Sequence, residues 1–146
     1  MARIELETFV AAPPERCFDL SLSVGLHERS MAHTGERAVR GVTSGTLQLG
    51  DEVTWEARHF GVKLQLSTAI TAYDRPRMFR DEMTHGPLRS MAHTHTFEAR
   101  GDGTLMRDVF EFRSPAALLL RPYFRRLLVR RNAAIRYSAI ARTASS

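Results

Sequence analysis

A chain that reads as strand after strand from residue 51 to residue 113 must cover the sheet it builds, and only its C-terminal stretch is long enough to do so. Ser114 to Ala141 reads as one long helix, with Ser114-Pro115 as its capped start. At about 100° per residue, Leu120, Phe124, Leu127, Leu128, Ile135 and Ser138 fall on one face. Arg121, Arg125, Asn132 and Arg136 fall on the other, where a surface helix keeps its polar residues. Arg131 is out of place in the middle of the apolar stripe. A charge buried there needs a carboxylate or water inside, because an unpaired one is very costly.

The rest of the chain supplies the sheet. Arg3 to Val10 alternates as a strand, and Ala11-Ala12-Pro13-Pro14 ends it. Pro14 to Leu20 reads as a short helix, and Ser21 to Ser30 as a second one interrupted around Gly25. Strands are then expected over Glu36 to Arg40, Asp51 to Phe60, Val62 to Tyr73, Met78 to Thr84, Leu88 to Arg100 and Thr104 to Arg113. A loop rich in Gly, Ser and Thr covers Gly41 to Gly50, and Gly101-Asp102-Gly103 is a strong hairpin signal. The predicted order is β-α-α-β6-α: an α+β architecture in which a curved antiparallel sheet grips one long helix and leaves a cavity between them. At 146 residues, one domain spanning residues 1–146, with a core of about 2–141, is the expectation.

That order is the helix-grip fold, and local wording adds to it. The run Gly50-Asp51-Glu52-Val53-Thr54-Trp55 through Gly61 resembles the central hairpin of bacterial cyclase/dehydrase-like members of the START-like, or SRPBCC, superfamily. So do Arg75-Pro76, Phe79 to Glu82, His93 to Phe97, Gly103 to Asp108, and Arg131-Asn132. The resemblance extends from Ile4 to about Ala141. It implies binding of a hydrophobic or aromatic small molecule, lipid- or polyketide-like, between sheet and helix. Its enzyme version is cyclase- or dehydrase-like chemistry on a carbonyl substrate. Fold alone does not choose between them.

Alternation assigns the faces. Met106, Asp108, Phe110 and Phe112 share the inner side of the last strand. Met91, His93, His95 and Phe97 share that of the strand before it. Phe79, Asp81 and Met83 do so on the short strand, and Val53, Trp55, Ala57 and His59 on the hairpin. Candidate catalytic residues are therefore His93, His95, Asp81, Asp108 and Arg131. A His–Asp pair suits general acid–base work, and an arginine suits developing negative charge. Asp108 and Asp81 are the candidate partners of Arg131, where a carboxylate permits bidentate pairing. The candidate ligand-binding residues are Trp55, His59, Phe79, Met91, Phe97, Phe110, Phe124 and Leu128. The competing reading is a polar network that only fixes the helix on the sheet.

Composition narrows the partners. The net charge is +5, almost all of it from arginine, and seven arginines lie between Arg121 and Arg142. They could meet phosphates, but no nucleic-acid motif or aromatic interleaving accompanies them, so a solvated helix face is the reading taken and no nucleic-acid partner is expected. No apolar run approaches the length of a membrane span, and the N-terminus has no apolar signal region. With Cys17 alone, no internal disulfide forms, and a cytoplasmic setting is expected. His93 and His95, two apart on a strand, have metal-ligand spacing, with Asp81 or Asp108 to complete a set. No further ligand motif supports this, so no metal and no cofactor is expected. Exposed edges of an antiparallel sheet permit a homodimer. His27, His33 and His85 fall in segments near the expected cavity mouth.

Overall fold

The computed structural model describes residues 1–145. Strand β1 (Ala2–Val10) is followed by helices α1 (Pro14–Ser21) and α2 (Val24–Ser30) and by a short 3-10 turn (Ala32–Thr34). Strands β2 (Arg37–Gly41), β3 (Glu52–His59), β4 (Val62–Asp74), β5 (Met78–His85), β6 (Ser90–Arg100) and β7 (Gly103–Arg113) lead to helix α3 (Ala117–Ser145). The seven strands form one antiparallel sheet in the order β1-β7-β6-β5-β4-β3-β2. This is the α+β helix-grip arrangement. Sequential hairpins build six of the strands. β1 returns to pair with β7, from Ala2 opposite Phe112 to Val10 opposite Thr104.

The strand boundaries fall within two residues of the sequence reading, and the helix boundaries differ at two places. Gly25 lies inside α2 and does not interrupt it; the break falls at Leu22-Ser23, where Ser23 Oγ accepts from the Leu26 amide at 3.2 Å as an N-cap. Helix α3 begins at Ala117, after a turn in which Ser114 Oγ accepts from the Ala116 amide. Register shifts in β4, beside Ser67/Thr68 and Ile70/Ala72, and in β2, between Ala38 and Arg40, mark the irregularities that bend the sheet.

The core divides into two clusters. One gathers around Phe18 of α1, whose ring meets Tyr73, Phe79 and Phe97 edge-on at centroid distances of 5.3, 5.5 and 5.4 Å. The other joins Ile4, Met91, Phe110, Phe112 and Leu128. The bend between β1 and α1 is tied down by the buried Thr104 hydroxyl, which donates to the Ala12 carbonyl at 2.7 Å. Close by, a Cβ on Gly103 would lie 2.3 Å from the Val10 carbonyl oxygen, so β1 and β7 can approach only over a glycine. Gly103→Ala is expected to destabilise the protein by about 1–3 kcal/mol, read from the urea midpoint; an unchanged midpoint would contradict this close packing.

Helix α3 lies closest to the β1 side of the sheet, and its arginines have a structural use there. Arg121 and Arg136 donate through Nε to the carbonyls of Arg3 and Phe9, each at 3.1 Å, and Arg125 reaches the Glu5 carbonyl at 3.5 Å. These are alternate residues along β1, whose outer edge has no strand neighbour. Guanidinium groups thus occupy backbone acceptors that an incoming strand would need, and a dimer formed through this edge would have to displace them. None of the described helices is long and apolar enough to cross a membrane.

Candidate functional site

Between the two core clusters, under α3, lies a cavity of about 180 Å³. For scale, an apolar cavity of about 150 Å³ takes up benzene. Trp55, Phe79, Met91, Phe110, Phe124 and Leu128 contribute apolar wall, and His59 also reaches it, as the alternation of their strands requires. Phe97 does not line this cavity. It packs into the core against Phe18 and Phe79, which corrects its assignment as a ligand contact. The inner face of β6 serves the cavity at Met91, His93 and His95, and the solid core at Phe97.

The polar wall is built by neighbouring strands in register. β5 and β6 place Asp81 opposite His93, and β6 and β7 place His95 opposite Asp108. His95 Nε2 lies 2.7 Å from Asp81 Oδ1, and His93 Nε2 lies 2.8 Å from Asp108 Oδ1. The two imidazoles stack with centroids 3.7 Å apart, and Phe79 stacks on the other face of His95 at 4.0 Å. His95 Nδ1 also faces Asp108 Oδ1 at 3.4 Å, so both its ring nitrogens look at carboxylate oxygens. Asp81, His93, His95 and Arg131 all reach the cavity; Asp108 sits one layer behind them.

Arg131 is buried under the helix, as its place in the apolar stripe demands, and its Nη1 is 3.8 Å from Asp108 Oδ1. The expected buried ion pair with Asp108 forms at this distance, and a hydrogen-bonded relay reinforces it. Nη1 donates to Asn132 Oδ1 at 3.0 Å, and Nη2 to the Ser21 carbonyl at 3.3 Å. Asn132 Nδ2 in turn donates to Asp108 Oδ2 at 2.7 Å and to Thr8 Oγ1 at 3.1 Å. Asn132 is only 2% exposed, which overturns its assignment to the solvent face. The buried arc of α3 is centred on Leu128, Ile135 and Ala139, roughly 50° round from the expected stripe. A signal was present: Asn132 is four residues after Leu128 and three before Ile135, the spacing of a shared face.

Electrostatics separates the members. Burial, reinforced by the neighbouring His95, pushes His93 down from the usual 6.5 to about 4, so His93 is neutral at neutral pH and donates Nε2–H to Asp108. Burial also pushes Asp108 upward, but hydrogen bonds from His93 and His95 outweigh it and hold the carboxyl well below its ordinary range. For Asp81, too, burial acts upward, and the bond from His95 and the nearby positive charge overcome it, leaving the carboxyl below its ordinary value. The wall therefore presents fixed carboxylates beside neutral and cationic donors.

Among the described residues, Asp81, His93 and His95 bring three donor atoms within 4.8 Å of one another, a grouping that could hold a metal ion. Two of those side chains are already hydrogen-bonded to carboxylates. His27, expected near the cavity mouth, lines the cavity from α2, and two residues that no sequence pattern singled out complete the wall: Glu36 ahead of β2 and Leu47 from the long loop.

A curved seven-stranded sheet closed by a C-terminal helix over an apolar cavity defines a helix-grip protein. Residues 1–139 match the family described as polyketide cyclase / dehydrase and lipid transport, and the chain belongs to that family. No curated protein matches it in sequence. Its fold is similar to that of TTHA0849 from Thermus thermophilus, at 20% identity and TM-score 0.73, covering 99% of this chain and 100% of that one. Ara h 8.0201 is similar at 16% identity and TM-score 0.73, with coverages of 96% and 98%. The di-domain ARO/CYC StfQ from the steffimycin biosynthetic pathway superposes at TM-score 0.78 with 11% identity; the match covers 97% of this chain and 51% of that one.

Proposed function

We propose that the protein binds a hydrophobic or aromatic small molecule, lipid- or polyketide-like, in the cavity between sheet and α3, within a single ligand-binding domain. The observation that carries this reading is a cavity with aromatic walls and a few convergent polar groups, the ordinary make-up of a small-ligand site. Its volume suits a ligand of one or two rings. Trp55 is the only tryptophan and lines the cavity, so its emission reports occupancy. Titration with 2-naphthol is expected to quench Trp55 saturably. Quenching that rises linearly, without saturation, would overturn the proposal.

A second reading is favoured by the position of His95 and Asp81 on the cavity wall, beside Arg131. Here the hydrogen-bonded His95–Asp81 pair exchanges a proton with a carbonyl ligand as one unit, Asp81 being its member bonded at His95 Nε2, and Arg131 stabilises the negative oxygen of the enolate. His93 and Asp108 hold His95 and Arg131 in place. This is the proton chemistry that a cyclase or dehydrase requires. Accelerated α-deuterium exchange into 2-tetralone, followed by NMR, would support it. His95→Ala is then expected to slow exchange by about 100-fold while retaining 2-naphthol binding. Equal exchange rates in the two proteins would leave binding as the only activity.

A further inference from the structure

Helix α3 has an outer face that neither the sheet nor the cavity uses. From Ala117 to Ser145 the helix carries no aspartate or glutamate. Arg121, Arg125, Arg126, Arg130 and Arg136 are exposed on it. Three of these rest on carbonyls of β1, which leaves their charge uncompensated. The only ion pair that α3 makes among the described residues is the buried one between Arg131 and Asp108, so none of the exposed five is paired. Arg126 and Arg130, four residues apart, also repel one another.

Apolar side chains share this face. Leu118 is 93% exposed, Leu119 80% and Tyr137 75%, and Val129 and Ile140 are exposed as well. Single apolar residues at a surface are ordinary. These five instead fall within an arc of about 100° round the helix, along a line of about 33 Å. Arg126 and Arg130 follow one border of the arc, and Arg125 and Arg136 the other. The same composition continues beyond the start of the helix. There Leu118 shares a groove with Arg3, Arg89, Arg113 and Arg121, and no acidic residue lines it.

We propose that the outer face of α3, with the arginines around its start, is a docking surface for an anionic phospholipid bilayer. The helix lies along the membrane surface and does not enter it lengthwise. Its guanidinium groups meet lipid phosphates, while Leu118, Leu119, Val129 and Ile140 sink to the acyl boundary. Tyr137, apolar with a polar tip, suits the headgroup level. The pattern favours a bilayer over a protein. The apolar groups are strung singly along a convex rod, with no pocket or cluster for a rigid partner to grip. A second copy would set arginines against arginines. A bilayer conforms to the rod and offers phosphate along its whole length. This surface lies outside the cavity, and the inference does not depend on what the cavity binds.

The test is flotation of the intact protein with vesicles of phosphatidylcholine alone, or of phosphatidylcholine with roughly one-third phosphatidylglycerol. The protein is expected to float with the anionic vesicles only, and to be released as NaCl rises from about 50 to 500 mM. Arg126→Gln combined with Arg130→Gln is expected to weaken partitioning about 30-fold. Arg37→Gln with Arg40→Gln removes the same charge from β2, at the far edge of the sheet, and should change it by less than about threefold. Leu118→Ser with Leu119→Ser should weaken it about tenfold. All six side chains are exposed, so these variants keep the fold. Failure to float with anionic vesicles would overturn the proposal. Equal losses from the two arginine pairs would also overturn it, as they would mean a diffuse attraction to a basic protein. Without flotation, a dimer in light scattering that the leucine variant dissolves would give the face to a second copy. Binding to poly-glutamate instead would give it to an acidic protein, and both outcomes reject the bilayer.

Discussion

Asp108→Ala is expected to cost the fold about 3–5 kcal/mol, a large part of the stability of a protein this size. Asp108 is 3% exposed and receives hydrogen bonds from His93 and Asn132, with Arg131 Nη1 at 3.8 Å. Removing the carboxylate leaves a guanidinium that is 7% exposed without its only close carboxylate among the described residues, and strips Asn132 and His93 of their acceptor. The relay also ties α3 to β7 and, through Thr8, to β1, so the helix should loosen over the cavity. Asp108→Asn keeps the shape but not the charge and should fall between wild type and alanine. Urea unfolding followed by circular dichroism measures both. A loss below about 1 kcal/mol for the alanine variant would mean the relay does not hold the helix down.

The second large effect is a loss of stability in mild acid. His93 is pushed down to about 4 in the folded protein, against 6.5 in an unfolded chain. Above pH 6.5 both states are neutral at this site, and its full contribution is present. Between pH 6.5 and about 4 the unfolded chain takes up a proton that the folded protein refuses, so stability falls as pH falls. The shift corresponds to a total loss on the order of 3 kcal/mol. Asp108 and Asp81, both lowered, add a further loss in stronger acid, once the pH drops below the ordinary carboxylate range. His95, Asp108 and Asp81 surround His93, so its protonation would also disturb the cavity wall. Unfolding midpoints at pH 7.5, 5.5 and 4.5 test this, with His93→Gln flattening the profile over that window. Equal wild-type midpoints at the two extremes would sink it.

The strand pattern shows how far a sequence reaches. Period-two alternation put Met91, His93, His95 and Phe97 on the inner face of β6, and Met106, Asp108, Phe110 and Phe112 on that of β7, and these meet in register as Met91–Phe112, His93–Phe110, His95–Asp108 and Phe97–Met106. The helix was harder. A period of 3.6 residues tells which residues neighbour one another, but not how the cylinder is rolled against the sheet. That roll came from the docking of α3 toward β1, where Arg121, Arg125 and Arg136 meet backbone carbonyls, and it carried Asn132 inward. Phe97 shows the same limit on a strand: alternation places it inside, while only packing against α1 decides whether inside means core or cavity.

What the sequence by itself determined was the order of elements, the inward faces of the strands, and the presence of a charge under the helix that had to find a carboxylate. These follow from local periodicity and from the cost of burying charge, and both are properties of short stretches. Tertiary structure alone decided that Asn132 also links Arg131 to Asp108, that Asp108 stands behind the cavity wall, and that Glu36 and Leu47 complete that wall. Around Arg131 such contacts join residues as far as 124 positions apart, as in the bond of Asn132 to Thr8. Contacts over such separations depend on the curvature of the sheet and on the roll of one helix across it, which no short stretch encodes.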